Sequence, residues 1–388
     1  MDCNCSSGCL VHRPIEDFLI SIIDVIKEKR VSENIEIFGG KRALSLIRDK
    51  GLKPEMVEVV AGAAGGPKGL LLKGLDRFLF FSWFKSRKEP LFLIGSSIGA
   101  WRFAAVASSV SGGVYDSFID AYVNQSYSSK PTPKEVYKTA IDIMNSFMNN
   151  GSKSDILSHA CFRISMLSAI CRWPVASDNT KVLSLGLLGA IVLNYIKRRN
   201  LRFFFKRALF YDPRDLPPFF EMDEFPIERI ALNEDMLRHA ILASGSIPLA
   251  MPGVKGVPGM PKGMYRDGSM IDYHLDIPFL KDSDKIALFP HFMNRIVPGW
   301  FDKRIKRRKP NSSNMDNVVV IAPSKDFIER LPYKRIPDRK DFIRFRGCDR
   351  ERISFWSKAI DESQRMGDEF GGMVESGRIK DRIKPLFE

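Results

Sequence analysis

Three short stretches hold residues whose types and spacing suit acyl transfer. The first is Gly95-Ser96-Ser97-Ile98-Gly99, a G-x-S-x-G run. A serine on a sharp strand-to-helix turn exposes its hydroxyl, and flanking glycines let neighbouring backbone pass without Cβ clashes. The helix N-terminus beyond such a turn adds partial positive charge where an oxyanion develops. Ser97 is the candidate nucleophile, with Gly95 and Gly99 forming its elbow; Ser96 sits off the centre of the pattern. The second stretch is Ala64-Gly65-Gly66-Pro67-Lys68-Gly69. Backbone N–H groups at a glycine turn stabilise the negative charge that builds on a former carbonyl oxygen. Pro67 has no N–H, so Gly65, Gly66 and Lys68 are the candidate donors. A phosphate-binding P-loop needs Ser or Thr after its lysine, and here Gly69 follows Lys68. The third stretch is Arg266-Asp267-Gly268-Ser269. An Asp-Gly pair is ordinarily a turn, but a neutral serine needs an adjacent base, and Asp267 supplies a carboxylate.

Taken together, these stretches resemble the patatin-like phospholipase family. A glycine-rich turn with a basic residue, a G-x-S-x-G elbow and an Asp-Gly pair come in that family's order. The small, proline-containing segment 243–252 (Ala-Ser-Gly-Ser-Ile-Pro-Leu-Ala-Met-Pro) resembles its link between helix and base. The resemblance covers roughly 57–276 and implies a three-layer α/β/α sandwich with a mainly parallel central sheet. It also implies a serine–aspartate dyad that cleaves carboxylic esters of lipids, phospholipase A or lysophospholipase in type, without metal or cofactor. Ser97 becomes the nucleophile and Asp267 the base. Gly65 and Gly66 become the oxyanion hole, with Lys68 in the place of the family's basic residue. Gly268 and Ser269 complete the Asp-Gly motif. Ala63, Ala64 and Pro67 depart from the family's pattern. An acyltransferase or general esterase with the same dyad, or a lipid-binding protein of the same fold without catalysis, are the alternatives.

Two other constellations deserve weighing. His274 and His291 follow Asp267, so the serine, acid, histidine order of another hydrolase architecture exists on paper. Cys3, Cys5, Cys9 and His12 have the ligand chemistry for zinc, but their spacing matches no paired C-x-x-C knuckle.

The elements that must position these residues follow from apolar patterning. Segments 56–61 and 91–94 read as buried strands, each followed by glycines, with helices expected at 70–84 and after the elbow. That alternation argues for a parallel sheet covered by helices. Further strands are expected at 285–289 and 317–322, and helices at 15–29, 42–49 and 351–370. The expected organisation is a helical lead-in over 1–50, a hydrolase domain over 51–325 with a helical insert near 130–230, and a helical extension over 326–388. The segment 157–205 is a candidate lid.

Composition sets the outer limits. At 44% apolar and 27% charged, the 388 residues suit a globular chain with a large core. The formal net charge of +14 attracts anions. Nucleic acid is not the expected partner, because no nucleic-acid-binding motif accompanies the charge. Cations interleave with phenylalanines over 202–207, and a basic loop spans 303–309. Both suit peripheral contact with an anionic membrane. The apolar run 182–196 is shorter than the roughly 20 residues a bilayer span needs. Residues 1–15 lack a secretory h-region, so the expected location is cytoplasmic, at the membrane face.

Overall fold

The computed structural model describes residues 33–387, apart from 109–111, 149–151 and 282. The expected helix at 15–29 and the Cys3, Cys5, Cys9 and His12 group lie outside the described residues. From Asn34 onward the chain forms one compact unit.

Its centre is a ten-stranded, mainly parallel sheet: β1 (Ile35–Gly39), β2 (Val57–Gly62), β3 (Leu91–Ser96), β4 (Phe162–Cys171), β5 (Phe205–Tyr211), β6 (Ile227–Ala231), β7 (Met264–Asp267), β8 (Ile286–Pro290), β9 (Val318–Pro323) and β10 (Ile383–Pro385). The strand order is β10-β1-β9-β8-β2-β3-β4-β5-β6, and β7 pairs with β4 off that path. Side chains alternate between faces along a strand. Val57, Val60, Leu91 and Leu93 enter one apolar cluster, and Val59, Ala61, Phe92 and Ile94 enter a second. Both faces of the central strands are therefore dry, which is why β3 and β9 read as unbroken apolar runs. Helices flank the sheet, completing an α/β/α sandwich.

The helices used below are α1 (Lys73–Phe78), α2 (Ile98–Ala107), α3 (Gly113–Val123), α4 (Pro133–Asn145), α5 (Thr180–Ile196), α6 (Glu234–Gly245), α7 (Asp349–Glu362) and α8 (Gln364–Glu375). The strands expected at 56–61, 91–94, 285–289 and 317–322 correspond to β2, β3, β8 and β9.

Other expectations need correction. The helix expected over 70–84 is a composite, with a 3₁₀ turn (Gly66–Leu72), α1 and a π turn (Leu79–Trp83). The single helix expected over 351–370 is two, α7 and α8, broken at Ser363. Ser363 Oγ bonds back to the Ile360 carbonyl and accepts from Gly74 N–H, tying the break to α1. The proposed outer segments are not purely helical, since β1 and β10 pair in parallel at the sheet's edge. Nor is 130–230 a helical insert. It contains β4, β5 and β6, and β4 is the strand to which β3, β5 and β7 all pair.

Candidate active site

The register of the sheet explains how three distant stretches meet. β2 and β3 run parallel with Gly62 opposite Gly95, so the glycine turn and the serine elbow leave the sheet side by side at its carboxyl end. That end is where open α/β sheets bind ligands. β3 pairs with β4, placing Ser96 opposite Leu167. β7 returns antiparallel on β4, placing Asp267 opposite Ser168. β3 takes residues 162–167 of β4 and β7 takes 168–171, so Asp267 meets the end of β3, and with it Ser97, along one edge of β4.

Ser97 has φ 54° and ψ −126°, a conformation that side chains rarely adopt. It is held by Ser97 N–H donating to Ser244 Oγ at 2.9 Å, while Ser244 Oγ donates to the Leu167 carbonyl at 2.7 Å. The glycines make the elbow sterically feasible. A Cβ on Gly99 would lie 2.0 Å from the Gly62 carbonyl oxygen, and one on Gly95 would lie 2.4 Å from Ala100 N. Gly268 is needed for the same reason, because a Cβ there would meet the Leu167 carbonyl at 2.3 Å.

Ser97 Oγ donates to Asp267 Oδ2 at 2.8 Å. The other carboxylate oxygen accepts from Ser269 N–H at 2.8 Å, and Asp267 N–H donates to the Ser246 carbonyl at 2.9 Å. Asp267 is 1% exposed. Burial pushes its carboxyl above the ordinary value, against the lowering effects of Ser269, Ser97 and Arg339. A serine bonded to a buried aspartate of raised basicity has the geometry of an activated nucleophile.

On the oxyanion side, the N–H of Ala64 is engaged by the Tyr273 carbonyl at 2.9 Å. The 3₁₀ turn starts at Gly66 with Gly65 as its N-cap. Its first N–H groups have no partner inside the helix, and Gly65 and Gly66, the candidate donors, line the same cavity as Ser97. Gly66 has φ +57°, a backbone state that favours glycine. Lys68 is the third residue of this turn, so its N–H falls to the Gly65 carbonyl in the i to i+3 pattern. Its contribution is its side chain, which pairs with Asp338 at 3.5 Å and lies over the Phe292 ring.

Ser97 stands where two cavities meet. One, about 280 Å³, is apolar and lined by Trp101, Tyr122, Val136, Ile143, Ile247 and Phe342, from α2, α3, α4, a loop and the short helix Asp341–Arg344. The other, about 390 Å³, is cationic: Lys68, Lys303, Arg339 and Lys340 share it with Asp267 and Tyr273. Gly66, Ser97, Ile247 and Arg339 line both.

The histidines do not join this site. His274 and His291 are fully buried with ring centroids 4.3 Å apart. His274 Nδ1 accepts from Val297 N–H at 2.9 Å, and His291 Nδ1 is engaged by the Met293 backbone, 2.6 Å from its carbonyl oxygen and 3.0 Å from its nitrogen. Burial keeps both well below the ordinary histidine range, His291 at about 3. It is Asp267, not a histidine, that meets Ser97. Ser96 is also excluded as nucleophile, being fully buried with no hydrogen-bond partner for Oγ among the described residues. No group of three or more metal-ligating side chains occurs among the described residues.

Sequence reasoning missed three contributors. Ser244 lies in the small-residue segment already singled out, so its role had a signal. Lys303 was visible only as part of a basic loop. Arg339 comes from a coil far along the chain, with no local pattern to flag it.

Compared with protein-family models and with curated proteins, the sequence matches none.

Proposed function

We propose that this chain is a serine hydrolase of lipid carboxylic esters, patatin-like in its dyad, acting at an anionic membrane surface. The observation that carries the reading is the 2.8 Å bond from Ser97 Oγ to Asp267 Oδ2 at the junction of an apolar and a cationic cavity. The acyl chain occupies the apolar side and the polar alcohol half the cationic side. Asp267 takes the proton of Ser97 as Oγ attacks the ester carbonyl, and Gly65 and Gly66 N–H groups face the oxyanion. Collapse of the tetrahedral intermediate expels the alcohol, which leaves with the proton from Asp267. Water then attacks the acyl-enzyme, giving its proton to Asp267, and releases the fatty acid and free Ser97. No metal or cofactor enters these steps.

Contact with the membrane is peripheral in this reading. No helix among the described residues is long and apolar enough to cross a bilayer. The test is labelling with a fluorophosphonate probe read by intact mass, alongside fatty-acid release from vesicles and soluble esters. Wild type gains one adduct and turns over, Ser97→Ala does neither, and Asp267→Asn loses turnover. Absence of both labelling and turnover in wild type would refute the reading.

A further inference from the structure

The cationic cavity beside Ser97 holds more charge than the dyad chemistry uses. Lys68 is partnered by Asp338, whose carboxyl also accepts from Lys340 N–H at 2.8 Å. Arg339 and Lys303 differ. Among the described residues, no carboxylate lies within ion-pairing distance of either side chain. The Lys303 ammonium lies against aromatic rings, 4.0 Å from the Tyr273 ring centroid and 5.3 Å from that of Trp300. Arg339 reaches over the oxyanion turn, its guanidinium 3.4 Å from where a Cβ on Gly66 would sit.

We propose that Arg339 and Lys303, with Lys68, form a subsite for a phosphate group on the alcohol half of the substrate. The preferred substrates are then acyl esters of a phosphorylated alcohol, carried by a lipid, rather than neutral or choline-bearing esters. This rests on the hydrolase reading and adds the substrate's headgroup class to it.

Three features of the site support the assignment. The cavity, at about 390 Å³, has room for a glycerol phosphate headgroup while the chain enters the apolar cavity on the other side of Ser97. Guanidinium groups match phosphate oxygens in a two-pronged geometry, and an ammonium adds a point charge. The cations also repel one another. Lys303 is exposed as a residue, yet desolvation within the cavity and then the neighbouring charges of Arg339 and Lys68 push it down to about 7, against the opposing pull of Asp267 and Asp338. A bound phosphate relieves that repulsion and restores its charge. A quaternary ammonium headgroup would meet like charge in the same place.

The experiment compares three monodisperse substrates with one acyl chain: a 1-acylglycerol 3-phosphate, its choline ester and the plain monoacylglycerol. Wild type, Arg339→Gln, Lys303→Met and the double variant are measured, with fluorophosphonate labelling of each as a check on folding and on Ser97. Wild type is expected to favour the phosphate monoester over monoacylglycerol in kcat/KM by about tenfold or more. That ratio is expected to fall toward one in the variants, chiefly through KM. Glycerol 3-phosphate should compete with monoacylglycerol in wild type, and more strongly than inorganic phosphate does. Cleavage of monoacylglycerol with no phosphate preference, or a ratio the variants leave intact, overturns the subsite and spares the hydrolase reading. Inhibition by inorganic phosphate equal to that by glycerol 3-phosphate, with no preference among esters, assigns the site to free anions and overturns the lipid assignment. No labelling and no cleavage of any ester overturns both.

Discussion

As the proposed base, Asp267 has to satisfy opposing demands. A base must ionise, and a carboxylate buried among apolar atoms resists ionising. In this site burial prevails over the bonds from Ser269 and Ser97 and the charge of Arg339, so the carboxyl titrates above its ordinary value. Two consequences follow at this one residue. Turnover of a soluble ester needs the ionised form, so the acid limb of kcat/KM should lie above pH ~4, the ordinary aspartate range. A limb at or below that pH would contradict the burial argument. The second consequence is for stability. The unfolded chain holds Asp267 at its ordinary pKa, so the folded state binds the proton more tightly. Its contribution to stability is full below the unfolded pKa and is lost as pH rises through the raised folded value. Asp267→Asn removes the charge and keeps the shape. It should melt higher than wild type at pH 7, with the gap closing toward pH 4, while turnover disappears. Thermal melts across that range check this, and a lower melting point for the variant at pH 7 would mean that the carboxylate's hydrogen bonds outweigh its desolvation.

Helix α2 begins directly after Ser97, the proposed nucleophile, so whatever anchors α2 also anchors the elbow. Arg102 on α2 donates to both oxygens of Asp76 on α1, at 2.8 and 2.6 Å, and Tyr115 on α3 donates to the same carboxylate at 2.5 Å. All three side chains are fully buried. Removing one partner leaves an uncompensated charge in the core, so Arg102→Met should cost about 3–5 kcal/mol of stability. The pair Asp76→Leu with Arg102→Met should recover much of that, as urea titration would read. A loss under 1 kcal/mol in the single variant would mean water reaches the carboxylate. The same elements show what a sequence makes legible. The elbow and the glycine turn each follow a short apolar run that ends in glycine, and Asp267 is marked by the glycine after it and by its order behind them, so local pattern is enough to find them. β4 is different: Phe162–Cys171 is buried on both faces and sits among helices, and its apolar–polar alternation runs only from Phe162 to Met166 before Leu167 breaks the phase, too short a pattern to separate strand from buried helix. β1 and β10 have five and three residues and exist by pairing, β10 with β1 and β1 also with β9, which is tertiary information. Lys303 and Arg339 belong to coils whose return to Ser97 depends on the whole sheet.

At the scale of the molecule, the site and the surface next to it belong together. Helix α5 buries one stripe, Leu183, Gly186, Ala190 and Asn194. Its opposite stripe, Leu185, Leu188, Ile191, Val192, Tyr195 and Ile196, is exposed, with Ile196 at 69%. Phe203 just beyond is also exposed, and Lys181, Lys197, Arg199 and Arg202 stand in solvent around the stripe. An apolar band rimmed by cations matches the acyl and headgroup layers of an anionic membrane. At 1.5 Å per residue the 17 residues of α5 span about 25 Å, a broad contact for a peripheral protein. The band is also joined to the cavity. Asn194 donates to Asp302 at 2.8 Å, and Asp302 ends the short turn Trp300–Asp302 that leads into Lys303. On the proposed function, the helix carrying this band is thus tied to the wall of the proposed headgroup site, which suits a lipid leaving the bilayer along that wall. On the proposed function, wild type should sediment with vesicles containing anionic lipid, and less so as salt shortens the screening length toward about 8 Å at 0.15 M. Leu188→Glu with Val192→Glu should abolish sedimentation and lower turnover on vesicles far more than turnover on a soluble ester. Equal losses on both substrates would mean that the stripe supports the fold rather than the membrane encounter. Undiminished sedimentation would move the contact to another surface.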